Sequence, residues 1–129
     1  MLKKATAYWL DLVDYDIETA EAMYSTSRWL YVGFMCHQVI EKMLKAYWCE
    51  KCDTMPPYIH NHKRLAVGSG IYEQMSEEQR LFIEDITTYN IEARYPADKE
   101  LLAHQLNRKA CRHIIDTTKE LQQWIKAQL

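Results

Sequence analysis

Apolar residues fall at helical spacing along four stretches of the chain. From about Lys3 to Tyr24, Trp9, Leu12, Val13, Ile17, Ala20 and Met23 recur on one side, while Asp11, Asp14, Glu18 and Glu21 mostly fill the other. The pattern predicts a first helix. Ser25, Thr26 and Ser27 interrupt it, and each is a residue type that caps a new helix. A second helix is expected from about Arg28 to Cys52. Trp29, Phe34, Ile40, Met43, Leu44, Tyr47 and Trp48 give it a broad apolar surface. Gly33 lies inside it, where glycine costs about 1 kcal/mol relative to alanine, so close helix packing is the expected reason for it.

The period is lost from Asp53 to Met75, where Pro56-Pro57, Gly68 and Gly70 punctuate the chain. A connection this long in a small domain is often functional. One short helical turn is expected near Lys63 to Val67. Ser76, followed by Glu77, Glu78 and Gln79, reads as a capping box. A third helix should begin there, carry Leu81, Phe82, Ile86 and Tyr89 inward, and stop near Tyr95. Pro96 sets that stop, because the residue before a proline is driven out of helical geometry. Asp98 to Leu106 suits a short helix. Asn107 looks like the cap of a last helix carrying Ala110, Ile114, Leu121, Trp124 and Ile125. No repeat or linker divides the chain. Residues 1–129 therefore read as one all-α domain, an antiparallel up-and-down bundle of four main helices with short extra helices.

Composition agrees. The 129 residues are 48% hydrophobic, enough to bury one core, and only three glycines and three prolines argue against a turn-rich β fold. A net charge of −2 excludes a strongly basic nucleic-acid coat and leaves room for a local basic patch. No apolar run approaches the roughly 20 residues of a membrane span. Met1-Leu2-Lys3-Lys4 leads straight into the amphipathic pattern rather than into a signal-peptide stretch. A cytoplasmic location is expected, with Cys36, Cys49, Cys52 and Cys111 as reduced thiols.

Several segments together resemble one family. The second helix holds Gln38-Val39-Ile40-Glu41-Lys42-Met43-Leu44-Lys45-Ala46, and the third ends in Ala93-Arg94-Tyr95-Pro96. The last helix closes with Lys119-Glu120-Leu121 and Trp124-Ile125, and the first carries Asp16-Ile17 with Ala20. In this order they resemble the HEPN family (higher eukaryote and prokaryote nucleotide-binding domains), in particular a prokaryotic branch with an Ala-Arg-Tyr-Pro motif. The resemblance implies an up-and-down bundle, usually a homodimer, often paired with a minimal nucleotidyltransferase in toxin–antitoxin systems. Several branches are metal-independent ribonucleases with an arginine followed about four to six residues later by a histidine. There the histidine handles the proton of the 2′-hydroxyl or leaving oxygen, and the arginine stabilises phosphate charge.

Arg94 does not fit that pattern, because Lys99, Glu100 and Leu101 occupy the histidine positions and His104 lies too far on. Arg108 and His113 do have the spacing, although a continuous helix turns them about 140° apart. They read either as a catalytic pair converging at a dimer cleft or as a solvated basic face. Arg94, with Tyr95, reads as a phosphate clamp or as an ion pair with Asp16 or Glu41. His62, Lys63 and Arg64, beside His60, read as a phosphate or nucleotide contact or as a helix start with solvated neighbours. Asp16, Gln38, Glu41 and Lys42 are expected to form a structural polar network, with Lys45 pairing Glu41. His37 reads as a packing or interface histidine. Cys49 and Cys52 have a spacing that zinc permits, but the single residue between His60 and His62 falls short of the usual separation of about three to five, so no metal or cofactor is assigned. Three functions follow as alternatives: a dimeric nucleotide- or RNA-binding module acting with a nucleotidyltransferase, a metal-independent endoribonuclease, and a non-catalytic dimeric adaptor.

Overall fold

The computed structural model describes residues 1–91 and 96–129, without the side chains of residues 96–98. Among the described residues six α-helices follow one another: α1 (Lys4–Ser25), α2 (Trp29–Lys51), α3 (His62–Ser69), α4 (Glu77–Thr87), α5 (Pro96–Gln105) and α6 (Arg108–Ala127). A 3-10 turn, Ile71–Gln74, joins α3 to α4. The first helix and α2 are antiparallel. Thr6 and the Lys3 amide both donate to Glu50 near one end, and the Tyr24 and Trp29 rings meet at the other. The last helix starts beside that second end, where Cys111 Sγ lies 3.8 Å from the Trp29 carbonyl oxygen. Next, α3 descends beside α2, and α4 returns toward the α1–α2 corner. The long helices thus run up, down, up and down, as the periodicity predicts.

The second helix is the axis of the bundle and packs against all five others. Its Ile40, Met43 and Leu44 are fully buried with Leu65, Ile71, Ile83, Ile86, Ile115 and Ile125. A smaller cluster of Phe34, Ile91 and Leu102 seats α5 on the start of α2. The expected close approach at Gly33 is real: a Cβ there would sit 3.1 Å from Tyr89 Cγ and 3.4 Å from Leu106 Cδ1. Ser76 and Gln79 form the complete capping box, and Asn107 accepts from the Ala110 amide at 2.8 Å.

Four local expectations change. The Ser25–Ser27 run does not cap α2. The Ser25 and Thr26 hydroxyls turn back to donate to α1 carbonyls, Ser27 takes φ 58°, and Arg28 precedes α2 without a capping side chain. The helical turn near Lys63–Val67 is an eight-residue helix, capped by Asn61 and closed at Gly70 with φ 90°. The third main helix, α4, ends at Thr87, not near Tyr95. Its last amides shift to three-residue hydrogen bonds, and the Thr87 and Thr88 hydroxyls donate to the Ile83 and Asp85 carbonyls. Leu81 is 55% exposed, and Ile83 takes the inward place expected of it.

Candidate nucleic-acid interface

The first turn of α6, capped by Asn107, carries the cations Arg108 and Lys109. The Arg108 guanidinium stacks over the Trp29 ring at 5.4 Å and the Tyr24 ring at 5.6 Å. Those rings meet edge to face at 5.7 Å, so they form a rigid aromatic seat. One turn on, Arg112 lies over Tyr24 and is consumed by carboxylates: Glu21 at 2.6 Å and Asp116 at 2.9 Å. Lys119 adds a 3.1 Å contact to Glu21. Hydrogen bonding from Arg112 holds the Glu21 carboxyl below its ordinary range. Arg108, Lys109 and His113 are exposed and have no carboxylate partner among the described residues.

Arg108 and His113 line one open groove, together with Tyr24, Lys109, Arg112 and Asp116. The turn of roughly 140° between them therefore does not send them to unrelated surfaces. Arg108 reaches across the aromatic seat while His113 stands on the helix wall. The groove offers fixed positive charge, an imidazole and aromatic surface, a combination suited to a phosphodiester and its base.

A second polar cluster lies within the bundle. Glu41 is buried on α2 and is met by Lys45 at 3.1 Å and by His60 Nδ1 at 2.9 Å. The Lys45 ammonium also lies 5.4 Å from the Trp9 ring centre and 5.7 Å from that of Tyr58. His37 Nε2 is 3.7 Å from Glu41, and neither His37 ring nitrogen has a hydrogen-bond partner among the described residues. Burial pushes the His37 pKa down to about 3, so the ring is neutral. His62 is fully buried. Its Nε2 lies 3.0 Å from the His37 carbonyl oxygen, and its Nδ1 lies 3.0 Å from the Ile83 carbonyl and 2.8 Å from Thr87 Oγ1. This ring ties α2, α3 and α4 together and presents no free nitrogen to solvent. Beside it, Lys63 pairs with Glu84 at 3.4 Å, and Arg64 is exposed. Asp16 and Lys42 pair between α1 and α2, separately from the Glu41 cluster, and Gln38 is half-buried about one turn before Lys42 on α2.

Arg94 and Tyr95 lie outside the described residues. Burial raises the thiol pKa of Cys36 to about 12 and that of Cys111 to about 11, so both stay protonated at neutral pH. Cys52 contacts the Ser69 carbonyl, and among the described residues no three His, Cys, Asp or Glu side chains are placed to hold a metal. None of the described helices is long and apolar enough to cross a membrane.

Sequence reading missed the aromatic seat under Arg108 and the Glu21 clamp on Arg112. Both join positions more than 75 residues apart, so no local spacing announces them.

The architecture defines a class: a small helical bundle whose central helix carries a buried Glu–Lys pair and whose last helix opens on a basic groove. The HEPN domain family model matches residues 6–128, and the chain belongs to that family. Comparison with curated proteins and with solved structures yields no match.

Proposed function

We propose that this HEPN domain is an RNA- or nucleotide-binding module that receives phosphate at the first turn of α6. The observation that carries the reading is the groove where Arg108, Lys109 and His113, none of them paired with a carboxylate among the described residues, stand beside Tyr24, with Asp116 also on its lining. Family membership supports the same ligand class. The resemblance further supports a homodimer working with a minimal nucleotidyltransferase in a toxin–antitoxin pair. Fluorescence anisotropy with a labelled RNA across a salt series tests the binding. Arg108→Ala and Lys109→Ala should each weaken it and lower the slope of log affinity against log salt by about 1. Slopes equal to wild type would place the phosphate elsewhere. Light scattering and co-purification with the nucleotidyltransferase test the assembly.

One observation favours a second reading, a metal-independent endoribonuclease. Arg108 and His113 share the groove, so a phosphate held by the guanidinium has an imidazole on the same wall to move a proton. RNA cleavage in EDTA that disappears in His113→Ala supports it. Cleavage unchanged in that variant removes the assignment.

A further inference from the structure

The basic groove does not stop at α6. Its aromatic floor leads to the α1–α2 corner, because Tyr24 packs on Trp29, and Trp29 lines the next depression with Ser27, Arg28, Tyr31 and Ala103. Arg28 and Tyr31 then line a third depression with Met23 and Thr26. These two side chains therefore form a ridge with a hollow on either side. Tyr31 is 51% exposed, and no cation covers its ring among the described residues, whereas Arg108 and Arg112 cover Tyr24 and Arg108 covers Trp29. Arg28 is exposed and lacks a carboxylate partner among the described residues. At the corner Ser27 takes φ 58°, and the Arg28 amide donates to the Met23 carbonyl at 2.8 Å.

From this arrangement we infer that the α1–α2 corner is a stacking site for an unpaired base of single-stranded RNA, with Tyr31 as the platform and Arg28 as a phosphate contact. The inference rests on the binding reading above and extends it from the α6 groove to a continuous track. Charge chooses the occupant. Arg28, Arg108 and Lys109 line the track's described edge without carboxylate partners, which suits a polyanion better than an apolar protein surface. The open ring chooses the strand form, because a base must leave its pair to lie flat on Tyr31. A stacking contact is tolerant of base identity and adds little to the salt dependence, whereas the arginines act through charge.

The test measures binding of a labelled single-stranded RNA and of a blunt RNA duplex of equal length to wild type, Tyr31→Ala, Tyr31→Phe, Arg28→Ala and Arg108→Ala. Tyr31→Ala should weaken single-strand binding by roughly 5- to 10-fold, leave the salt slope unchanged and spare the duplex, with Tyr31→Phe retaining affinity. Arg28→Ala should weaken single-strand binding and lower the slope by about 1. Loss of affinity in Arg108→Ala with none in Tyr31→Ala or Arg28→Ala overturns the corner site and leaves the α6 reading intact. Absence of RNA binding by wild type overturns both. A change in light-scattering mass in Tyr31→Ala shows the corner to be a protein interface and overturns the inference. Exposure of Tyr31 makes folding of the variants expected, and thermal unfolding monitors it.

Discussion

At the residue scale, the two buried histidines set how the protein responds to acid. His62 sits between two carbonyl oxygens, which favour its protonated form, yet burial dominates and holds its pKa below the usual value. His37, without a hydrogen-bond partner among the described residues, is pushed down to about 3 chiefly by burial, with His62, His60 and Lys45 adding repulsion. Both histidines therefore bind more protons unfolded than folded once the pH drops below the unfolded value of about 6.5. Stability is complete above that pH and declines as pH falls toward the folded values. His37→Leu removes one such group and leaves Glu41 with Lys45 and His60. Urea denaturation should find it close to wild type at pH 7.5 and, relative to that difference, about 2 kcal/mol better at pH 5. Parallel pH profiles of the two proteins would show that His37 takes up no proton on unfolding.

At the scale of elements, the sequence announces helices more clearly than it announces where they end. The four main helices follow from period and caps, and Ser76 with Gln79 and Asn107 act as their residue types suggest. The end of α4 was not legible. Neither glycine nor proline stops it at Thr87, and the hydroxyl bonds of Thr87 and Thr88 that draw off its carbonyls compete only weakly in isolation. In α3, the cost of misjudging a small residue is concrete. A Cβ on Gly68 would lie 2.5 Å from Trp48 Cζ3 and 2.7 Å from Cη2, inside an indole that seats the helix. Gly68→Ala should therefore destabilise the protein by about 1–3 kcal/mol despite the better helix propensity of alanine, as read by chemical denaturation. A neutral or stabilising result would mean that Trp48 swings aside freely.

At the scale of the whole molecule, charge is arranged across distant segments. Arg108 and His113 were visible as a spaced pair. Their groove was not, because Tyr24 and Trp29 lie far back in the chain, and because Glu21 silences the intervening Arg112 from α1. The Glu21 cluster is at the surface and adds little to stability. Its larger effect is to withhold positive charge from the groove. Glu21→Gln should raise RNA affinity and steepen the salt slope, with little change in thermal midpoint. Equal or weaker binding would show that Arg112 serves only to join α1 to α6.

The central position of α2 also governs how the molecule opens. Every other helix rests on it, so its middle amides are exposed only when the whole bundle comes apart. Hydrogen exchange should report the global unfolding free energy from Val39 to Leu44, and lower values along the connection before α3. The hinge of any partial opening is then that connection, which the contact of His60 with the buried Glu41 ties to α2. If RNA binds along α1, α2 and α6 as proposed, this opening would leave it in place, and the protein would loosen on one side while holding its ligand on the other.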